Sequence, residues 1–539
     1  MKKLVSFILG VLFVITAISI TGCGCKHVFG EWVETTPATT TADGVKERIC
    51  TSCGAKEQAV SNKKYVLSLS VNNTEYGSVS QTPSEISWGE SVTVTAEASD
   101  VAVFDAWYKG EDKVCEFTSY TFTMPQENIS LTAKFIYTAW LGDTASSFAG
   151  GTGTTTDPYL ISNGAELSYL SSVLSDSTTA SNYKDKNFAL TANINLGGKE
   201  WKPIGYYQTS ASAGNENFVF DGNFYGQGYT ISNYKITQTQ RSSDVFFGLF
   251  GRVEGNIYNL HVEKGVINLN FSPVTTVRAG LIVGQIRNGE MVGCSAKGSA
   301  DVKLKNDHSA FVGGMVGATY QSNLYKCFFE GKVSGVSGGN DVTSYSNAGV
   351  GGLLGYGGAS DGHPSPAYEI KDCYTITTSL HGNSVNGDTY VGGIMGYGYE
   401  YTTNVINCYH LGNSSGSAHR YLDVGGIAGQ AYLTKNCYQK GNVNISSGAS
   451  SYSYYLGVAS IRNGFSEKIY VQGTRYCGGM AQPGIDEPYE IATSLNETNF
   501  NDFFITTMAL DSNVWDLTKL DFENKVYPTL KPIAPLSFS

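Results

Sequence analysis

Gly352-Leu353-Leu354-Gly355 is one of six copies of a short glycine phrase that decides the fold of this chain. In each copy, two glycines flank two or three residues, most of them apolar. The copies end at Gly251, Gly284, Gly317, Gly355, Gly396 and Gly429. Successive copies lie 33 to 41 residues apart. A repeat of this size indicates stacked units, each of which buries its apolar edge against the next. We expect glycine where the chain bends sharply between sheets or needs a positive φ.

Length and composition define the class of protein. The chain has 539 residues, which predicts two or more domains. Charged residues make up only 15%, whereas hydrophobic residues make up 41% and aromatic residues 12%. This composition is typical of a β-rich extracellular protein with enough apolar content for a core. The net charge of −11 and the lack of a basic stripe argue against a nucleic-acid partner.

The N-terminus predicts export from the cell. Lys2-Lys3 precedes an apolar run, which is followed by Ile20-Thr21-Gly22-Cys23. Small residues at this place favour a signal peptide over a short transmembrane helix. The four residues resemble the bacterial lipobox. The resemblance implies a signal peptide of residues 1–22, a lipid on Cys23, and anchoring on the extracellular face of the cell membrane. The alternative is a cleaved and freely secreted chain.

Residues 23–60 carry a pattern of metal-ligating residues. Cys25-x-His27 and Cys50-x-x-Cys53 stand on either side of a threonine-rich segment. Two such pairs match the spacing of a structural zinc site, where four nitrogen and sulfur ligands form a tetrahedron. The alternative is a disulfide, which an oxidising exterior favours. The whole phrase resembles a small ribbon-like module that is common in surface proteins of gut bacteria.

Residues 61–137 predict a small β domain. Apolar and polar residues alternate in Ser91-Val-Thr-Val-Thr95, in Tyr120-Thr-Phe-Thr123 and in Leu131-Thr-Ala-Lys-Phe135. Alternation with period two is the pattern of half-buried strands. The order of these segments resembles the divergent internalin-type B-repeat. The resemblance implies a compact β spacer of bacterial surface proteins.

Residues 138–539 combine the glycine repeats with distinct opening and closing segments. Asn163, with Glu166 three residues later, is a capping-box arrangement that predicts a short helix. The repeats follow, and residues 515–532 close the segment. This order resembles the GLUG-motif family of bacterial surface proteins. The resemblance implies an all-β, right-handed parallel β-helix. We expect the early helix to cover one open edge and residues 515–532 to close the other end.

An aromatic residue follows a cysteine after most of the glycine phrases. Neighbours on a strand face opposite sides, so an inward cysteine would place its aromatic neighbour outside. Stacking of the coils would align these aromatics in a ladder. The aromatic residues are Phe328, Tyr374, Tyr409 and Tyr438, and each follows Cys327, Cys373, Cys408 or Cys437. The main interpretation is buried cysteines with sheet-stabilising stacks. The alternatives are an aromatic platform for sugar rings and disulfides between coils.

No motif in the chain is a strong catalytic signature. His-Glu-x-x-His and the phosphate-binding glycine loop are absent from the sequence. The scattered histidines lack ligand spacing, and we expect them in exposed loops or turns. They are His261, His308, His363, His381, His410 and His419. Asp361-Gly-His363 near Asp372 is the only dense spot, and its composition is typical of turns.

The sequence therefore predicts a non-enzymatic, adhesin-like surface lipoprotein. Its β-helix would present a surface to a host or microbial ligand, either a glycan or a surface protein. The alternatives are a carbohydrate-active lyase or hydrolase built on a β-helix, and a purely structural stalk. An enzyme needs acids or bases that converge in a groove, whereas an adhesin needs exposed aromatic and polar surface. We expect contacts in the tyrosine-rich segment of Tyr397, Tyr399 and Tyr401, and in residues 451–455.

Overall fold

The structure is a computed structural model in which β-strands predominate. It describes residues 26–80, 84–205, 207–208, 216–217, 219–238, 245–339, 345–358, 368–399, 403–445, 452–455, 459–460, 465–472 and 495–538. Cys23, Cys25, Asp361, His363 and Tyr401 lie outside these ranges. The chain divides after Thr138 into two compact units. Among the described residues, no helix is long and apolar enough to cross a bilayer.

The first unit begins with a small antiparallel sheet. Its three strands are Val33–Thr36, Gly44–Ile49 and Lys56–Ser61, and they pair in chain order. Within residues 26–63, only Ala38 and Cys50 are buried apolar residues. This sheet therefore has almost no hydrophobic core.

Two further sheets of the first unit enclose a compact core. The five-stranded sheet has the order Glu85–Ser87, Lys64–Val71, Ile129–Tyr137, Ala102–Lys109, Asp112–Cys115. The three-stranded sheet has the order Ser119–Thr123, Ser91–Ala98, Gly77–Val79. Trp107 is fully buried between them, and its indole N–H donates to the carbonyl of Thr118 at 3.2 Å. Val92 and Val94 are buried while Thr93 between them is exposed, which confirms the predicted alternation.

The second unit is a β-solenoid of about eight turns. Each turn adds strands to a sheet of 19 strands, which we call the long sheet, and the strands pair in parallel. Its strands are Tyr159–Ile161, Asn187–Leu190, Ile194–Glu200, Asn223–Tyr225, Thr230–Gln238, Asn256–Tyr258, His261–Phe271, Glu290–Val292, Ser295–Leu304, Asn323–Tyr325, Phe328–Ser337, Tyr368–Lys371, Tyr374–Ser384, Thr403–Ile406, Tyr409–Leu411, Ser414–Ala418, Leu433–Lys440, Val443–Ile445 and Phe465–Gln472. The all-β solenoid confirms the predicted fold class. Its right-handed sense stays a prediction.

Two shorter parallel sheets complete the turns. The strands of the second sheet are Phe246–Phe247, Val277–Ala279, Ala310–Gly313, Ala348–Gly351, Thr389–Gly392, Tyr421–Gly425 and Tyr452–Tyr455. Those of the third sheet are Phe250–Val253, Val283–Arg287, Val316–Tyr320, Leu354–Gly358, Met395–Gly398, Ala428–Gln430 and Ala459–Ser460. Each glycine phrase lies at the corner where the chain passes from the second sheet into the third. Two short antiparallel pairs lie outside the coils, Tyr207–Gln208 with Glu216–Asn217 and Trp515–Asp516 with Thr529–Leu530.

The glycine that ends each phrase is required by close approach of backbone. None of these six glycines has a positive φ, so that part of our expectation is wrong for them. At Gly396, an added Cβ would lie 2.4 Å from the amide nitrogen of Val350 and 2.8 Å from the carbonyl oxygen of Gly355. Any side chain would therefore push neighbouring coils apart at the corner.

The core of the solenoid runs through the middle of the stacked coils. Apolar residues from the glycine phrases, such as Leu353 and Ile394, are fully buried in it. The helix Gly164–Val173 packs Leu167 and Leu170 against the same core. Asn163 accepts the amide N–H of Glu166 at 3.0 Å, which confirms the predicted helix start. A short 3₁₀ turn, Ala180–Tyr183, follows the helix.

The C-terminal segment, residues 495–538, lies along the outer face of the long sheet. It contains the helical turns Phe500–Asp502 and Phe503–Thr507. Asn436 donates to the carbonyl of Met508 at 2.7 Å, and Asn259 donates to the carbonyl of Ile533 at 3.0 Å. Farther along, Phe538 lies 5.3 Å from the ring of Tyr225. Residues 515–532 therefore cover the side of the solenoid, and our prediction that they close its end is wrong.

Candidate functional site

The predicted aromatic ladder is present in the long sheet. Phe328 and Tyr374 stack with ring centroids 4.8 Å apart, and Tyr374 and Tyr409 stack at 4.9 Å. The cysteine before each aromatic points into the solenoid core, as predicted. All eight cysteines in the described part of the chain are free thiols. Burial raises the pKa of the thiols of Cys294 and Cys327 well above the usual value.

The C-terminal segment covers this ladder. Tyr374 is 3% exposed, Tyr409 1% and Tyr438 0%. The fully buried ring of Trp515 lies 6.2 Å from Tyr374 and 5.8 Å from Tyr409. The prediction of an exposed platform at these three tyrosines is therefore wrong, and Phe328 at the edge of the cluster is only partly buried.

A second set of aromatic side chains lies where the outer faces of the second and third sheets meet. Phe311 of the second sheet stacks on Tyr356 of the third at 4.6 Å. Tyr390 and Tyr397 form the same kind of pair at 4.1 Å. The ring of Tyr320 lies 5.5 Å from Tyr356. We call Phe311, Tyr320, Tyr356, Tyr390 and Tyr397 the aromatic face.

The aromatic face is partly open to solvent. Tyr320, Tyr356 and Tyr397 are half-buried, and the neighbouring Tyr399 is 44% exposed. Gly349 stands between the strands of Phe311 and Tyr390, and an added Cβ there would lie 2.8 Å from the Phe311 ring. The missing side chain at Gly349 therefore makes room for the stacked rings.

Charged groups border the aromatic face on both sides. The guanidinium of Arg278 lies 5.4 Å from the ring of Phe246, and its Nη2 donates to the hydroxyl of Tyr320 at 3.2 Å. On the other side, Tyr390 donates to Asp388 at 3.4 Å. Arg420 lies 3.9 Å from Asp388 and 4.0 Å from the ring of Tyr345, which is 60% exposed. The surface thus combines aromatic rings with arginine, and both are enriched at recognition surfaces.

Sequence reasoning found only one part of the aromatic face. Tyr397 belongs to the predicted tyrosine-rich segment, and the structure places it in the face. Tyr356 and Tyr397 occupy the same place in successive coils, each directly after the glycine that ends a phrase. The repeated Gly-Tyr-Gly sequence could have predicted that these two tyrosines lie next to each other in successive coils. The pairing of Phe311 with Tyr356 carried no such signal, because these residues come from different coils.

An apolar cavity of about 330 Å³ lies between the long sheet and the C-terminal segment. Tyr225, Tyr258 and Val292 of the long sheet line it on one side, and Ile533, Ala534 and Leu536 line it on the other. Gln227 uses both ends of its side-chain amide to bind the backbone of Leu536, with each hydrogen bond at 2.8 Å. The amide groups around this cavity thus hold the C-terminal segment.

Three of the four predicted metal ligands lie together in the first unit. The side-chain ligand atoms of His27, Cys50 and Cys53 all lie within 4.8 Å of one another. Cys53 Sγ is 3.3 Å from Nδ1 of His27. The backbone N–H of Ser52, followed by the side chain of His27, lowers the pKa of Cys50 to about 6. The fourth predicted ligand, Cys25, lies outside the described residues.

The histidines of the solenoid are more buried than we expected. His410 is completely buried, and its Nδ1 lies 2.9 Å from the hydroxyl of Thr375. That hydroxyl donates to the carbonyl of Gly393 at 2.7 Å, so Nδ1 of His410 must carry the proton. Burial lowers the pKa of His410 to about 4. His261 and His381 are half-buried on strands, where burial also lowers each pKa. The exposed-loop expectation is wrong for these three.

The candidate acidic spot is in part a turn. Asp372 has a positive φ of 55° and is 8% exposed. Its carboxylate accepts a hydrogen bond from the side-chain amide of Asn407 at 3.0 Å, and Asn407 in turn accepts one from Asn436 at 2.9 Å. This ladder of polar side chains joins the bends of successive coils, which is a structural role for Asp372.

Comparison with known families and proteins gives one domain family and two partial relatives. Residues 67–139 match the family model of the divergent InlB B-repeat domain. The chain is 33% identical over 129 residues to the "Putative Gly-rich membrane protein" of Evansella cellulosilytica, covering 24% of this chain and 14% of that protein. It is 26% identical over 224 residues to halomucin of Haloquadratum walsbyi, covering 41% of this chain and 2% of halomucin. The chain thus spans only a small part of these relatives.

One solved structure matches part of this chain. It is the crystal structure of a "putative immunoglobulin A1 protease" from Bacteroides ovatus. The TM-score is 0.44, the sequence identity is 20%, and the match covers 71% of this chain and 95% of the other. The chain itself is a β-solenoid preceded by a small β domain that matches the B-repeat model.

Proposed function

We propose that this protein is a non-enzymatic, adhesin-like surface protein that binds a glycan through the aromatic face. The observation that carries the proposal is the pair of stacks Phe311–Tyr356 and Tyr390–Tyr397, which lie beside Arg278 and Asp388. Phe311 and Tyr390 are buried, whereas the rings of Tyr356 and Tyr397 are partly open to solvent. Half-buried tyrosine rings pack against the apolar faces of sugars, and neighbouring charged groups hydrogen-bond to sugar hydroxyls. A surface protein ligand is the other outcome that such a face allows.

The proposal predicts that binding is lost when the open rings are removed. A glycan array probed with the full chain is expected to give bound glycans. The double substitution Tyr356→Ala, Tyr397→Ala is expected to weaken the best of them at least about tenfold, because two packing contacts of roughly 1 kcal/mol each are lost. Titration calorimetry with the best glycan measures this change.

The matched control is Tyr325→Ala. Tyr325 is also a half-buried tyrosine on a solenoid strand, but it lies on the long sheet and its hydroxyl contacts Glu369 at 3.4 Å. It is expected to keep full affinity. Equal losses in the control and in the double variant would count against a site at the aromatic face. Unchanged affinity in a folded double variant would remove the proposal.

Mass spectrometry of each bound glycan distinguishes an adhesin from a carbohydrate-active enzyme. An adhesin leaves the glycan intact, whereas a lyase or hydrolase shortens it. Shortened products would favour the enzyme and direct mutagenesis to Asp361 and His363. Absence of any bound glycan would favour a protein ligand or a structural stalk.

We also propose that the chain is a lipoprotein anchored through Cys23 on the extracellular face of the membrane. The lipobox-like residues and the surface-type relatives support this proposal. Cells grown with an alkyne fatty acid are expected to label the protein, and Cys23→Ala is expected to abolish the label and release the chain. Labelling that persists in Cys23→Ala would contradict the anchor. We propose four segments along the chain. They are a signal peptide of residues 1–22, the Cys/His module of residues 23–60, the B-repeat domain of residues 61–137 and the GLUG-type β-helix of residues 138–539.

A further inference from the structure

The three-stranded sheet at residues 33–61 has too little core to be stable by burial alone. Ala38 and Cys50 are its buried apolar residues, and the strand Val33–Thr36 is exposed along its whole length. Very small modules generally need a disulfide, a metal or another crosslink to fold. This sheet therefore needs a stabilising crosslink in addition to its small hydrophobic core.

The Cys/His cluster lies where such a crosslink would act. Phe29 and Cys50 form a β-bridge that ties the start of the module to the end of its second strand. His27 lies just before this bridge in the chain, and Cys53 lies in the turn that follows it. Their side chains approach each other beside the bridge. Gly54, with a φ of +73°, donates its N–H to the carbonyl of Cys50 at 2.9 Å and closes that turn. One ion at this point would join segments 23 residues or more apart.

The geometry of the cluster fits a tetrahedral metal ion. With Zn–S and Zn–N bonds of about 2.3 and 2.1 Å, tetrahedral angles place sulfur and nitrogen about 3.6 Å apart. The observed separation of Cys53 Sγ and His27 Nδ1 is 3.3 Å, and all ligand atoms lie within 4.8 Å. The cysteines are free thiols.

We infer that zinc bound by His27, Cys50 and Cys53 is what folds this module, acting in place of a hydrophobic core. The bound ion would hold the turn, the β-bridge and the N-terminal segment in one arrangement. Arg48 adds a second, weaker contact, because its guanidinium lies 4.8 Å from the ring of Phe29 and 4.6 Å from that of Trp32.

Metal analysis of the full chain tests the binding of zinc. The chain purified with a thiol reductant is expected to hold one zinc per molecule, and cobalt substitution is expected to give thiolate charge-transfer and tetrahedral absorption bands. Cys50→Ser is expected to reduce zinc content at least fivefold. The matched control, Cys115→Ser, removes a free thiol of the neighbouring β domain and is expected to retain zinc. Less than a tenth of an equivalent in the wild type would overturn the inference.

Hydrogen exchange tests whether zinc folds the module. A chelator is expected to speed exchange at least tenfold in strands Gly44–Ile49 and Lys56–Ser61, and to leave strand Ser91–Ala98 unchanged. His27→Cys guards against a variant that merely misfolds, since it should keep zinc and shift the cobalt bands toward those of an all-thiolate site. Protection from hydrogen exchange that the chelator does not change would overturn the inference. Protection that comes from a Cys50–Cys53 disulfide would also overturn it.

Discussion

Gly396→Ala is expected to lower the free energy of unfolding of the solenoid by about 3 kcal/mol or more. The new methyl carbon would meet the nitrogen and carbonyl carbon of Val350 at 2.4 and 2.8 Å, and the oxygen of Gly355 at 2.8 Å. All three are backbone atoms, so no side chain can rotate away. The coils must separate, which lengthens the hydrogen bonds of the second and third sheets on both sides of the corner.

Chemical denaturation followed by near-ultraviolet circular dichroism measures this loss. The matched control is Gly150→Ala, because an added Cβ there would meet only the Leu160 side chain, at 3.7 Å, and the backbone has an ordinary φ. The control is expected to change stability by less than about 1 kcal/mol. If Gly396→Ala unfolded at the same denaturant concentration as the wild type, the corner could open without cost. That result would contradict the close backbone packing at Gly396.

Trp515→Ala is expected to destabilise the C-terminal segment by about 4 kcal/mol. The indole is completely buried over the rings of Tyr374 and Tyr409, and its removal leaves a large cavity in that cluster. The hydroxyl of Tyr409 also donates to the carbonyl of Pro528, so the segment and the ladder loosen together. Limited proteolysis within residues 495–530 is expected to become at least tenfold faster.

Trp515→Phe separates packing from hydrogen bonding. Within the described part of the chain, the indole nitrogen of Trp515 has no hydrogen-bond partner. The phenyl ring should therefore lose only packing area, about 1–2 kcal/mol. If Trp515→Ala leaves the proteolysis rate unchanged, the ladder is not held by this segment, and its tyrosines would again be candidates for ligand contact.

The fold was predictable because its signal is local and repeated. Each glycine phrase marks one corner, and the Cys-aromatic pairs alternate by the rule of a single strand. The cover over Tyr409 was not predictable in this way, because Trp515 lies more than a hundred residues away and matches no repeat. The aromatic face was predictable only at Tyr397, since stacks such as Phe311–Tyr356 depend on the angle between two sheets.

The C-terminal segment also determines how the solenoid should come apart. A stack in which each coil touches only its neighbours can fray from either end, one coil at a time. Here the segment touches the coils of Asn436 and Tyr409 at one end and those of Asn259 and Tyr225 at the other. Loss of one distant contact therefore weakens the rest, so the intermediate coils are tied into a single cooperative unit. That cooperativity denies proteases a partly unwound form to attack.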